Sequence, residues 1–494
     1  MLKFCRASPD RSIAPNDNFF ELGGQSILLL RLQSRLKKKF KVTLKLQELI
    51  HAPTPLAIAG MIQKQLKGPA GVQNESASKS IDWSEEISLP ASLMNTDYSQ
   101  LSRFPRTDVS NTFIGLHMLA TILSNNHNAT VYVIGIHDEL TADHLVEGLT
   151  KYKLLDAHLS TEDVLSRTRA VPGKMTSPRF GLAEEAFRNL ADTVRVIFNI
   201  AADVSLLKTY VNLKPVNTSA ILTLIELATS SHGHLLEIHH LSTWSVPHLQ
   251  TWKKTSRTRA FASNREEDPS HFTPPTADEY GYFKSRWAAE MYLTQAAAHG
   301  VPVSIYRASS VSGSRATNVP VPEMDFISNM IMHMIQHRAI PEINSSSLID
   351  EAGDFVVDFL PVDALTSSMY TLASEESAAA PGLQVYHLGS SQPLPLQALV
   401  DVIPSLDQSG AAGKCRVVPM QEWLRLVSEG ASEEEQLHWM VVKKYFQHGH
   451  SMFALDKSHT VAALKKAGKE VEFPAIDVDY LKRLLDERGP GLKR

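Results

Sequence analysis

Phe113-Ile114-Gly115-Leu116-His117-Met118-Leu119-Ala120-Thr121-Ile122-Leu123, with the run Ala129-Thr130-Val131-Tyr132-Val133-Ile134-Gly135-Ile136 that follows it, is the stretch on which the fold turns. The first part reads as a helix and the second as an apolar, β-rich run of strand length. The alternation recurs downstream. Val194–Ile200 and Leu235–Leu241 read as strands, Thr218–Thr229 as a helix, Ser285–Ala298 as a long helix and Val303–Tyr306 as another strand. Helix and strand in turn predict an α/β fold with a doubly wound parallel sheet. Asp325–Ile340 and Gln421–Lys444 are expected to form a smaller C-terminal region near the carboxyl ends of the strands, where ligands of such sheets lie.

The chain has 494 residues, too many for one ordinary core, and predicts two or three domains. A hydrophobic content of 43%, a charged content of 21% and a net charge of −4 describe a globular protein with no nucleic-acid signal. Cys5 and Cys415 are too far apart in sequence for a disulfide framework or a zinc spacing, so no metal site is expected. No run approaches the ~18 apolar residues of a membrane span, and no secretory signal pattern opens the chain. A cytoplasmic protein without a membrane partner is expected.

Upstream of the α/β pattern stands Asp17-Asn18-Phe19-Phe20-Glu21-Leu22-Gly23-Gly24-Gln25-Ser26, followed by Ile27-Leu28-Leu29-Leu30. It places a serine hydroxyl at the start of a helix after a Gly-Gly turn. A plain N-capping serine is the simplest reading of such a turn. The whole stretch, however, resembles the attachment site of peptidyl and acyl carrier domains, D-x-F-F-x-x-G-G-x-S, at every fixed position. That resemblance implies 4′-phosphopantetheine on Ser26, loaded by a phosphopantetheinyl transferase, with an acyl or peptidyl thioester on the arm.

Helical spacing over Ile27–Lys39, a short extended Val42-Thr43-Leu44, a short helix over Leu46–Ile50 and a final helix over Thr54–Gln65 complete a small carrier bundle. Only Met1–Pro15 remains to supply the long first helix of such domains, so a truncated bundle over residues 1–67 is expected. Gly68–Ser80 is small, polar and aperiodic, the composition of a flexible tether within a linker over 68–90.

Residues 91–494 are expected to form one further domain, with a nucleotide-binding-type core at about 105–320 and a substrate region mainly at 321–494. From Ile81-Asp82-Trp83 through Leu89-Pro90 and onward, the chain resembles the thioester reductase domains of fungal polyketide–peptide hybrid synthases, which belong to the extended short-chain dehydrogenase superfamily. Upstream synthase modules are partners that this resemblance implies. The family's T-G-x-T-G-F-L-G fingerprint is read here as Asp108-Val109-Ser110-Asn111-Thr112-Phe113-Ile114-Gly115. Gly115 is retained, and Val109 and Thr112 replace the glycines that let backbone amides approach a pyrophosphate. His137 stands where the family has an arginine for the 2′-phosphate, and Lys174 where it has an aspartate near the adenine. These replacements argue against bound NADPH.

The reacting end is better kept. In Leu241-Ser242-Thr243-Trp244-Ser245-Val246, Thr243 takes the family's catalytic Ser/Thr position, and Gly281-Tyr282-Phe283-Lys284-Ser285-Arg286-Trp287-Ala288-Ala289-Glu290 is similar to G-Y-x-x-S-K-W-x-x-E. Tyr282 is then the tyrosine of Y-x-x-x-K and Arg286 replaces the lysine; the competing pair Tyr280 and Lys284 loses the match of Gly281, Ser285, Trp287 and Glu290. Arginine keeps the charge but not the shape. Asn199–Tyr210 is similar to the family's H-N-G-A-D-V-S-F-L-K-T-Y, with Asp203 as a base or, equally, a turn-capping carboxylate. His239 and His240 alternate on a strand and are expected to be structural.

The resemblance to reductase-like domains that have lost redox chemistry implies product release by Dieckmann condensation to a tetramic acid. Thr243 and Tyr282 would face the oxyanion, Arg286 would add charge, and Asp203 would act as the base. NADPH-dependent reductive release and a non-catalytic remnant are the other readings.

Overall fold

The computed structural model describes residues 13–20, 26–42, 44, 46–66, 81–94, 107–110, 112–135, 140–247, 249, 268–277, 279–321, 326–342, 356–376, 382–391, 394–395, 416–429, 455–468 and 479–480. Its strands are β1 Thr107–Ser110, β2 Val131–Gly135, β3 Thr168–Lys174, β4 Val196–Asn199, β5 Glu237–Thr243, β6 Val303–Ala308, β7 Ser310–Ser312, β8 Ala339–Glu342, β9 Val356–Val357, β10 Phe359–Pro361, β11 Leu383–Leu388, β12 Leu394–Pro395 and β13 Arg416–Pro419. Seven of them form one sheet in the order β11-β6-β5-β4-β1-β2-β3, with each neighbouring pair parallel.

The central strands β4, β5 and β6 are buried at every position, as parallel strands covered on both faces must be. Alternate residues divide between two cores. Ile197, Ile238, Val303, Ile305 and Val385 pack with the helices Glu184–Thr193, Ala220–Thr229 and Gly281–Ala298. Val196, Phe198, Leu241, Tyr306 and Leu388 face the other way, toward the helices Phe113–Asn125, Ala142–Lys151 and Val362–Glu376. The expected α/β class and doubly wound parallel sheet are therefore what the chain forms.

Three features differ from the sequence reading or add to it. The edge strand β3 contains Pro172 and Gly173, which hide it from a search for β-branched runs; an edge position tolerates both, and its register shifts between Val133 and Gly135. Asp325–Ile340 and Gln421–Lys444, which the sequence reading left without an element type, carry the helix Phe326–His337, strand β8 and the helix Met420–Ser428. The sheet also does not end near residue 320: β11 pairs with β6 along its whole length, and the helix Ser458–Lys466 covers it. The C-terminal part thus contributes the sheet's edge strand, the small pairs β8 with β13 and β9 with β12, and β10, which pairs with β7.

One buried cluster holds the long helix Gly281–Ala298 to the sheet. Glu290 of that helix and Arg307 of β6 are both fully buried and joined at 2.8 Å, and Ser242 of β5 donates to the same carboxylate. Such a pair adds little net stability but is costly to break from one side, so it fixes where the helix lies.

The carrier part is a small bundle of helices Ser26–Phe40, Leu46–His51 and Pro55–Leu66 around Phe19, Leu29, Leu44, Leu49, Ile58 and Ile62. Phe19 and Phe20 of the attachment motif are core residues, edge to face at 5.5 Å, with the turn held by the Asn18 side chain accepting from the Phe20 N–H at 2.9 Å. The expected missing first helix over 1–15 and the linker over 68–80 fall largely or wholly outside the described residues, as do Gly23–Gln25, Asn111 and His137. Among the described residues no helix is long and apolar enough to cross a membrane.

Candidate active site

Parallel strands end together, so residues at their carboxyl ends converge on one edge. Thr243 closes β5 there, level with Ala308 of β6, and is 8% exposed. Tyr282 is the second residue of the helix Gly281–Ala298. The start of that helix lies against the backbone of Lys208–Tyr210, so closely that a Cβ on Gly281 would stand 2.4 Å from the Lys208 carbonyl oxygen and 2.6 Å from the Tyr210 nitrogen. This contact brings Tyr282 close enough to Thr243 for the threonine hydroxyl to act on the phenol. Burial pushes the Tyr282 phenol above its ordinary value; the Arg286 charge and the Thr243 hydrogen bond pull it back, and the Asp203 charge pushes it further up. Tyr282 is consequently a protonated donor at neutral pH.

Arg286 lies one turn beyond Tyr282 and is 2% exposed. Its Nη2 donates to the Leu241 carbonyl oxygen of β5 and reaches His240 Nε2 at 3.1 Å. Arginine can only donate, so His240 Nε2 accepts and the proton sits on Nδ1, which faces the Asn199 carboxamide at 2.9 Å. The acceptor there must be the amide oxygen. Burial and then the neighbouring guanidinium hold His240 well below its ordinary value, so it is neutral. Arg286 Nε and Nη1 are buried and find no partner among the described residues. Both histidines are buried in the sheet, and His239 stacks between Phe198 and Tyr306 on the opposite face and bonds the Tyr306 hydroxyl at 2.8 Å.

Asp203 lies in the turn after β4. Its carboxylate accepts from the Ser205 N–H at 3.1 Å and pairs with Lys208 Nζ at 2.5 Å, the arrangement of a turn-capping residue. It is nonetheless near enough for its charge to act on Tyr282. Asn217, absent from the sequence reading, connects the two. It accepts from the Asp203 N–H at 2.7 Å and donates to the Asp203 carbonyl at 2.9 Å and to Ser285 Oγ at 3.0 Å, while Ser285 donates to the Tyr282 carbonyl at 2.8 Å. Its signal in the sequence is weak, an amide in the polar group Asn217-Thr218-Ser219 that opens an apolar helical run behind Pro215.

At the opposite side of the edge, Thr112 is the N-cap of the helix Phe113–Asn125, and its side chain accepts from the Gly115 N–H at 3.1 Å. A donor that would face a pyrophosphate is thereby satisfied within the chain. Behind it, His117 donates from Nδ1 to the Phe113 carbonyl at 2.8 Å, among the rings of Phe113 and Tyr152. Lys174 ends β3, half-buried; Val109 lies in β1 opposite Val133, with its side chain outside the described set. Ser26 is the first residue of the helix Ser26–Phe40, the end at which a phosphodiester is favoured, and its side chain also lies outside the described set.

Comparison with known proteins agrees with this architecture. The family described as Male sterility protein, of NAD-binding type, matches residues 111–369, and the Phosphopantetheine attachment site family matches residues 3–62. The hybrid PKS-NRPS synthetase pynA of Aspergillus niger is 97% identical over 98% of this chain and 13% of its own length. The hybrid PKS-NRPS synthetase pyvA of Aspergillus violaceofuscus is 38% identical over 97% of this chain and again 13% of its own length. The chain thus spans a small part of the curated relatives it matches. Among solved structures, the terminal R domain of the myxalamid PKS-NRPS pathway superposes with a TM-score of 0.65 at 22% identity, covering 82% of this chain and 96% of that one. An archaeal thiolation-reductase di-domain covers 97% of this chain and 93% of its own, with a TM-score of 0.63 at 19% identity. The chain belongs to the Male sterility family of NAD-binding, reductase-like domains, joined to a phosphopantetheine carrier as in fungal hybrid polyketide–peptide synthetases.

Proposed function

We propose that the chain releases a β-ketoacyl-aminoacyl thioester from its own carrier by Dieckmann cyclisation to a tetramic acid, with residues 1–67 as carrier, 68–90 as linker and 91–494 as the releasing domain. A phosphopantetheinyl transferase and upstream synthase modules are the partners that this reading requires. The observation that carries it is an asymmetry: the hydroxyl pair Thr243 and Tyr282 is assembled at the strand ends, while Thr112 occupies the Gly115 amide and Arg286 is directed at the Leu241 carbonyl. The residues at the fingerprint, with Thr112 on the Gly115 amide, do not suit a dinucleotide.

Ser26, at a helix N-terminus, suits a phosphopantetheine arm, which when bound supplies the thiol that holds the acyl chain as a thioester. Asp203 is the candidate base for the carbon between the two carbonyls of the β-ketoamide. The resulting carbanion attacks the thioester carbonyl carbon; the new C–C bond forms, the C–S bond breaks, and the sulfur leaves with the proton returned from the base. Thr243 and Tyr282 offer O–H donors to the carbonyl oxygen as it gains charge, and the buried Arg286 adds positive potential. Nucleophile and electrophile belong to one tethered molecule, which removes most of the entropic barrier.

Membership of an NAD-binding family favours one rival, reductive release to an aldehyde or alcohol. Mass analysis of the product released from the Ser26-loaded chain, with and without NADPH, separates them. Equal amounts of cyclised product in both are expected; a product heavier by hydride equivalents only with NADPH would replace this reading with the rival. Ser26→Ala is expected to abolish loading. Tyr282→Phe and Thr243→Val are each expected to slow release by roughly 10²-fold, the scale of losing one oxyanion donor.

A further inference from the structure

The carrier is seated on the same turn that holds Asp203. Leu207 packs into the carrier's apolar core, the Asn18 side chain of the attachment motif donates to Asn212 Oδ1 at 3.3 Å, and Asn212 donates to the Ile50 carbonyl at 3.2 Å. Between these contacts, Lys208 Nζ stands 4.9 Å from the centre of the Phe20 ring and 2.5 Å from Asp203 Oδ2. One ammonium therefore touches both the carrier's motif and the carboxylate beside Tyr282. Its side chain is 12% exposed, so both contacts are largely out of water, where ring and carboxylate attract a cation more strongly. From Asp203 the path continues through Asn217 and Ser285 to the Tyr282 backbone, and Gly281 packs on the Lys208 carbonyl itself.

We propose that Lys208 is a positioning residue that couples carrier seating to the site: the Phe20 ring, when docked, holds the ammonium on Asp203 and so orders the turn next to Tyr282. The site is then fully arranged only while a carrier is present. Coupling is reciprocal, so the Asp203 carboxylate must in turn strengthen seating, although among the described residues its hydrogen bonds and ion pair lie on its own side of the interface. This reciprocity separates coupling from simple docking. The inference rests on the proposed release function only for giving Asp203 a chemical role, and its test needs no turnover.

The full chain carrying Asn18→Cys and Asn212→Cys, with Cys5→Ser and Cys415→Ser, reports seating through its disulfide equilibrium against glutathione, which measures the carrier's effective concentration at its seat. Lys208→Met and Asp203→Asn are each expected to lower that equilibrium by about 3- to 10-fold, with the double variant no worse than either single one and Lys208→Arg retaining most of it. An unchanged equilibrium in Lys208→Met overturns the proposal, and so does a fall in Lys208→Met with none in Asp203→Asn, which would leave Lys208 a docking contact only. Phe20→Leu is a third arm, expected to remove the effect of Lys208→Met. Should the chain prove not to cyclise its substrate, these equilibria would still stand or fall by themselves.

Discussion

At the scale of single residues, the Asp358 carboxyl lies 4% exposed beyond the end of β6, where it accepts from the Ser390 N–H at 2.7 Å and a Cβ on Gly389 would stand 2.6 Å from Oδ2. Burial pushes it up to about 6 from the ordinary 3.8, against the pull of Lys457. The folded chain therefore holds this proton more tightly than the unfolded chain. Stability falls as pH rises through that interval, and above about 6 the full penalty is present, at most about 3 kcal/mol. Asp358→Asn is expected to stabilise at pH 8 by about 1–3 kcal/mol and to be near neutral below pH 4. Urea midpoints at the two pH values check this, and an equal effect at both would refute it. Thr243 and Tyr282 were legible because each belongs to a spaced motif, whereas Asn217 and Asp358 belong to none, and their significance is visible only once the chain has buried them.

At the scale of elements, the contact between the turn at Lys208–Tyr210 and the helix Gly281–Ala298 depends on the absence of one methyl group. Gly281→Ala would set a Cβ within 2.6 Å of three backbone atoms, which must move for it to fit. A loss of about 1–3 kcal/mol is expected, together with a displaced Tyr282 and slower release. Gly233→Ala is the control. Nothing lies within 4 Å of its added Cβ, so its unfolding midpoint should match the parent. The motif match marked Gly281, but the reason for it is tertiary, since the backbone that it admits lies some 70 residues earlier in the chain. Helix and strand identities in the central sheet followed from apolar periodicity, and β3 did not, because Pro172 and Gly173 break the pattern at an edge where few hydrogen bonds are lost.

At the scale of the whole molecule, β11 is an edge strand made safe by a distant segment. The His387 N–H donates to Thr460 Oγ1 at 2.9 Å, His459 stacks on Tyr386 at 5.0 Å, Leu464 enters the core, and the Tyr480 hydroxyl donates to the Gly313 carbonyl at 2.6 Å. Removing the chain from Leu455 onward should destabilise it by several kcal/mol, at roughly 1.5–3 kcal/mol per buried side chain, and expose a pairing edge. Loss to the insoluble fraction, or a clearly lowered melting temperature, is the expected readout; an unchanged, soluble protein would show that this cover is dispensable. By itself the sequence determined the α/β class and the carrier motif, and it singled out Ser26, Thr243, Tyr282 and Arg286 as candidates, because these rest on local periodicity and on residue types at fixed spacing. Tertiary structure alone decided that the sheet is completed by β11, that Asp203 is paired with Lys208, and that Lys208 also faces the carrier. Those relations join residues far apart in the chain, and neither periodicity nor spacing carries information about which distant surfaces will bury one another.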